Sequence, residues 1–197
     1  MTPEQLLSLA AFAFVTSITP GPNNLMLMAS GANFGVRRTL PHMLGVAGGF
    51  VFMAVLVGVG LAQAFEAVPA LHGALEAASV AYLLYLAWKI ATAPPPGDAA
   101  RAGNPMTFLA AAAFQWVNPK AWAMALTAVS VYAPSQTAAG IVAVAMVFGL
   151  VNLPSVGAWA VLGQGMRRVL TNPRRMRAFN VSMAVLLVAS LYPVLLH

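Results

Sequence analysis

The sequence predicts an all-α membrane protein of six transmembrane helices, on three observations. Hydrophobic residues make up 60% of the 197 residues and charged residues only 7%, with mean hydropathy +0.81. An ordinary soluble domain carries roughly a quarter charged residues, so too few remain here to coat a water-facing surface. Six stretches also match the roughly 20 apolar residues that cross a bilayer core: Leu6 to Ala32, Leu40 to Ala64, Val68 to Ala91, Met106 to Tyr132, Thr137 to Leu162 and Ala178 to Leu196. Finally, nine of the ten Lys and Arg residues fall in alternate connections.

The first stretch reads as an uncleaved helix, because Met1-Thr2-Pro3-Glu4 lacks the positive region that opens a signal peptide. Arg37 and Arg38 follow the first span, Lys89 and Arg101 flank the third connection, and Arg167, Arg168, Arg174, Arg175 and Arg177 lie in the fifth. The second and fourth connections hold no Lys or Arg, and the second carries Glu66. By the positive-inside rule, both termini face away from the cytoplasm. The net charge of +6 would suggest nucleic acid in a soluble protein; here it reads as a topology signal, with anionic-lipid binding as the other use of the Arg cluster. The absence of cysteine excludes disulfides and thiolate chemistry.

The chain is one transmembrane domain, 1–197. Its longest polar stretch, Ala93 to Pro105, divides it into halves of three spans, about 1–98 and 99–197. An odd number of spans makes the halves antiparallel, the arrangement of inverted-repeat transporters. The first span of each half is interrupted, by Thr19-Pro20-Gly21-Pro22-Asn23 in one and by Asn118-Pro119-Lys120 in the other.

Proline removes a backbone N–H and clashes with the carbonyl one turn earlier, so Pro20 and Pro22 open the helix around Phe14 to Ile18 and Pro119 opens it near Gln115. Unpaired backbone is tolerated in a membrane only where protein or a watery cavity satisfies it. One such kink often only shapes helix packing; two at matching places point to a site between them. The half-helices that start after Pro22 and Pro119 present partial positive charge, which suits a carboxylate. The freed carbonyls, with Thr19, Asn23, Asn24, Gln115 and Asn118, suit an ammonium. A zwitterionic amino acid meets both needs.

Lys120 is the charged residue set within a span, where a cation costs roughly 2.5–3.5 kcal/mol on insertion scales. It either attracts the substrate carboxylate or snorkels to the headgroups. Glu76 in the third span and His42 beside Pro41 are the candidates for proton coupling, each with a plain alternative as a residue reaching water or the interface. Asn152-Leu153-Pro154-Ser155 in the fifth span suits packing or an interhelical hydrogen bond. Gly45, Gly48 and Gly49 make a small-residue face that leaves close packing within the bundle and a homodimer both open. Met26 and Met28 read as apolar filler, and four acids without cysteine are a poor set of metal ligands, so neither a metal site nor a cofactor is expected. Acidic pairs in the spans, a Gly-x-Ser-x-Gly motif and a P-loop are all missing from the sequence, so an enzyme is not expected and any pumping uses an ion gradient.

Thr19-Pro20-Gly21-Pro22-Asn23-Asn24, then Gly35 and Arg37, Tyr82-Leu83 and Asn118-Pro119-Lys120-Ala121 resemble the LysE/RhtB family of amino-acid exporters over nearly the whole chain. With Ala87-Trp88-Lys89-Ile90-Ala91-Thr92, the resemblance is greatest to its cysteine and O-acetylserine exporter branch. Ser79 and the run Ala110 to Ala113 depart from glycines common in that family. The resemblance implies export of small amino acids or derivatives from a bacterial cytoplasm across the inner membrane by proton antiport, with cysteine-like, neutral, homoserine or threonine, or lysine cargo left open. A membrane-embedded enzyme or chaperone, and a cation transporter or channel, are the alternatives.

Overall fold

In the computed structural model, residues 1–61, 69–93, 103–133 and 137–192 are described. Glu66, the middle of the linker with Asp98 and Arg101, and the last residues of the sixth span lie outside them. Every regular element among the described residues is helical: α1 (Pro3–Ile18), α2 (Pro22–Phe34), α3 (Val36–Leu56), α4 (Pro69–Ala91), α5 (Phe108–Phe114), α6 (Pro119–Tyr132), α7 (Ala138–Met166) and α8 (Pro173–Ala189). A π-helical turn, Val57–Leu61, extends α3, and a 3-10 turn, Gln115–Val117, extends α5.

Local chemistry sets these boundaries. Thr2 and Gln5 form a reciprocal capping box at the start of α1 with Pro3 at the first helical position. Thr137 and Asn172 cap α7 and α8 through their side chains. The turn from α2 into α3 is a single residue, Gly35, whose φ of 82° and ψ of 160° leave no room for a Cβ without strain. By contrast, Pro41 and Pro154 lie inside α3 and α7 without ending them.

Among the described residues, three helices are long and apolar enough to cross a membrane by length and composition: Val36–Leu61, Gly73–Ala91 and Ala138–Met166. At 1.5 Å per residue, the 26 residues of the first and the 29 of the last reach roughly 39 and 43 Å, against a hydrocarbon core of about 30 Å. The expected first and fourth spans are each divided. The first is α1 with α2, of 16 and 13 residues; the other is α5, its 3-10 turn and α6, of 7, 3 and 14 residues. Large apolar side chains point outward along the bundle, including Leu7, Leu109 and Leu150 at 73%, 76% and 70% exposure, as lipid-facing positions require.

α7 runs through the middle of the bundle against α1, α2 and α3. α5 packs on α3, and α4 pairs with α8. Glycines permit the closest approaches. A Cβ on Gly31 of α2 would meet the Ala160 carbonyl of α7, and one on Gly163 of α7 would meet the Met28 carbonyl of α2. Gly45 and Gly49 of α3 abut the backbone of α5 at Phe108 and Ala112, so this small-residue face is used within the chain. Phe50 and Phe148, with ring centroids 4.5 Å apart, fill the core beside them.

The basic residues converge on one end of the bundle. Arg38 donates to Asn104 Oδ1 at 3.2 Å, Arg167 lies against Gly35, and Arg174 and Arg177 line a cavity with Thr92 at the end of α4.

Candidate functional site

Both breaks form where the sequence puts them, and they meet. α1 stops at Ile18, Thr19 turns extended ahead of Pro20, and α2 restarts at Pro22 after a fully extended Gly21. Across from it, Asn118 is extended between the 3-10 turn and Pro119, the first residue of α6. Lys120 bridges the two. Its Nζ donates to the Thr19 carbonyl at 2.8 Å, the Thr19 hydroxyl at 3.0 Å and the Pro20 carbonyl at 3.3 Å. The side chain therefore reaches the opposite break, and it is half-buried at the point where Thr19 and Pro20 come to the bundle surface.

Other side chains take up the carbonyls that α1 leaves free. Asn24 Nδ2 donates to Ser17 O and Thr19 O, both at 2.7 Å, and the Trp159 indole N–H donates to Ile18 O at 3.0 Å. The Thr19 hydroxyl donates to Thr16 O at 3.0 Å. Asn23 and Gln115 join the breaks a second time through reciprocal amide bonds of 2.8 and 3.3 Å, and Gln115 Nε2 also reaches Ala111 O at 2.8 Å. Asn24, Trp159 and the Thr19 hydroxyl thus answer carbonyls at the end of α1, while Asn23 and Gln115 pair with each other across the breaks.

The two helix N-termini differ. Asn118 Oδ1 accepts from the Lys120 amide at 3.2 Å and caps α6. Gly21 has no side chain, so the positive end of α2 has no side-chain cap.

Between the breaks lies a cavity of about 20 Å³, lined by Ser17, Gly21, Asn23, Asn24, Gln115, Asn118, Lys120 and Asn152 among others. A water needs roughly 10–15 Å³ measured this way, so the space holds one water-sized group and no amino acid. Asn152 donates to the Ser17 hydroxyl at 2.9 Å, an interhelical bond, while its buried Oδ1 has no partner among the described residues.

The polar residues thus gather into one site, whereas the two coupling candidates stand elsewhere. Glu76 is exposed on α4 and lines neither this cavity nor the larger one nearby. His42 is buried in α3 and lines the larger one, of about 270 Å³, at the basic end. Sequence reasoning missed Ser17 and Trp159. Both were legible only as polar atoms in apolar spans, with nothing local to name their partners.

The family description "LysE type translocator" matches residues 14–190. The chain is 32% identical over 191 residues, 95% of its length and 96% of theirs, to the cysteine/O-acetylserine efflux proteins of Escherichia coli (strain K12) and Shigella sonnei (strain Ss046). No solved structure matches the chain significantly.

Proposed function

We propose that this chain, which belongs to the LysE family of translocators, exports a small zwitterionic amino acid of the cysteine or O-acetylserine kind from the cytoplasm in exchange for protons. The family is one of transporters, and the matched relatives are named as efflux proteins. Amino-acid efflux, a membrane location and an all-helical fold follow at that level.

The observation that carries the site is the Lys120 ammonium seated on the Thr19 and Pro20 carbonyls. A primary ammonium on backbone carbonyls is the contact an amino acid's own ammonium would make. In this reading cargo and Lys120 compete for those carbonyls. Displaced, Lys120 turns to the cargo carboxylate, which also faces the uncapped amides of α2. Asn23, Gln115 and Asn118 then part to enlarge the closed cavity, and Pro20, Gly21 and Pro22 hold the carbonyls outward.

The six-span inverted repeat belongs to the same proposal. It is supported by mirrored packing: α1 leans on α7, the second helix of the other half, as α5 leans on α3. The gathered basic residues support a reading in which their end of the bundle faces the cytoplasm and both termini lie outside. His42 and Glu76 stand as the coupling candidates, His42 with the stronger case because it borders a cavity.

Counterflow in proteoliposomes, with a panel of labelled amino acids and with or without a pH gradient, tests cargo and coupling together. Asn23→Ala and Lys120→Ala should each abolish exchange of the cargo. If both exchange every amino acid as the parent does, the site is misplaced. If the parent exchanges none, amino-acid export is wrong.

A further inference from the structure

We infer that the cavity of about 270 Å³ at the basic end is a second binding site, which takes a small amino acid in zwitterionic form before it reaches the breaks. The inference rests on the export reading above and adds a station to its route. Volume is the first argument. The space between the breaks admits one water-sized group, whereas this cavity has room for more than ten, at roughly 10–15 Å³ each, and so for a small amino acid.

The second is an orphaned polar side chain. His42 is 2% exposed, lines the cavity, and neither ring nitrogen has a hydrogen-bond partner among the described residues. A buried polar group without a partner costs about 1–3 kcal/mol, a cost that a ligand in the cavity would offset. A neutral imidazole offers one N–H donor and one acceptor, so it can face either end of a zwitterion.

The neighbouring hydroxyls settle into one direction. Thr39 Oγ1 donates to Gly35 O at 2.9 Å, so its single proton is used. The Ser30–Thr39 hydroxyl bond of 2.9 Å must then have Ser30 as donor, leaving lone pairs on Ser30, a cavity-lining residue, for an ammonium. Lys89 also lines the cavity and supplies positive charge for the carboxylate.

The third argument is the path. Asn23, Met26, Ser30 and Asn33 recur at three- and four-residue steps, one face of α2. Asn23 borders the closed cavity and the other three border the open one. The face thus runs about 15 Å from the basic end to the breaks, with the buried, flexible Met26 at the boundary as the side chain that must swing aside.

Because the chain has no cysteine, a single Ala29→Cys substitution reports on the cavity wall without background. In inside-out vesicles a membrane-impermeant methanethiosulfonate should label it, and saturating O-acetyl-L-serine should slow labelling about fivefold or more. Adding His42→Leu should shift the half-protecting concentration up about tenfold, the scale of a lost hydrogen bond to a charged group, with His42→Gln recovering part of it. Adding Lys120→Ala should leave protection in place while counterflow is lost. Unprotected labelling in vesicles that still exchange O-acetyl-L-serine would overturn the second site and spare the export reading. Protection that survives His42→Leu unchanged but vanishes with Lys120→Ala would return the ligand to the breaks and overturn it as well. If the parent exchanges no amino acid, export and second site fall together.

Discussion

The two breaks are built from the same residue types and are held in opposite ways. The break before α6 is self-contained: a 3-10 turn tightens the end of α5, Asn118 N bonds back to Gln115 O at 3.3 Å, and the Asn118 side chain caps its own helix. The break before α2 is satisfied from outside. Its carbonyls are taken by Lys120 of α6 and Trp159 of α7 as well as by Asn24, and its new helix starts without a side-chain cap. A break with its own bonds is a fixed post. One whose bonds are lent by neighbouring helices depends on where those neighbours sit, so in the proposed export reading the first break is the receptive side and the second the side that holds it shut.

If so, removing a bond that holds the first break should hurt more than removing the second break's own cap. The largest stability loss is expected for Asn24→Leu, which strips a donor from two carbonyls at once; thermal melting followed by size-exclusion in detergent should report a loss of about 3 kcal/mol. Lys120→Met leaves the Pro20 carbonyl unanswered and the Thr19 carbonyl to Asn24 alone, and should lower counterflow about 100-fold, or roughly 2.7 kcal/mol, with the fold retained. Trp159→Phe keeps the ring and drops one donor, and a loss of about 1.5 kcal/mol is expected in the same melt. Asn118→Ala should be the mildest at about 1 kcal/mol, the usual value of an N-cap. A reversed order, with Asn118→Ala the most damaging, would mean that the second break's own cap matters more than the bonds that hold the first.

Much of this was legible one residue at a time. Pro20, Pro22 and Pro119 end and restart helices because proline lacks the N–H and fixes φ, whatever surrounds it. Gly35 reads as a turn for an equally local reason. Gly45 and Gly49 were ambiguous, since a small-residue face says that something packs closely without saying what; their partner proved to be α5. The depth of Lys120 could not be read either, because a long side chain reaches in several directions and only the facing break decides which carbonyls it meets.

The sequence by itself determined the membrane class, the places where helices break and the end of the bundle where positive charge collects, since each follows from composition or from a short-range constraint on the backbone. The tertiary structure alone decided that the breaks meet, that Lys120 lies on Thr19 and Pro20, and that His42 borders a cavity instead of joining the central cluster. Those are contacts between residues up to about a hundred positions apart, such as Thr19 and Lys120 at a separation of 101. No local rule carries that information, because the free energy of a hydrogen bond depends on which partner the packing of other helices brings within reach.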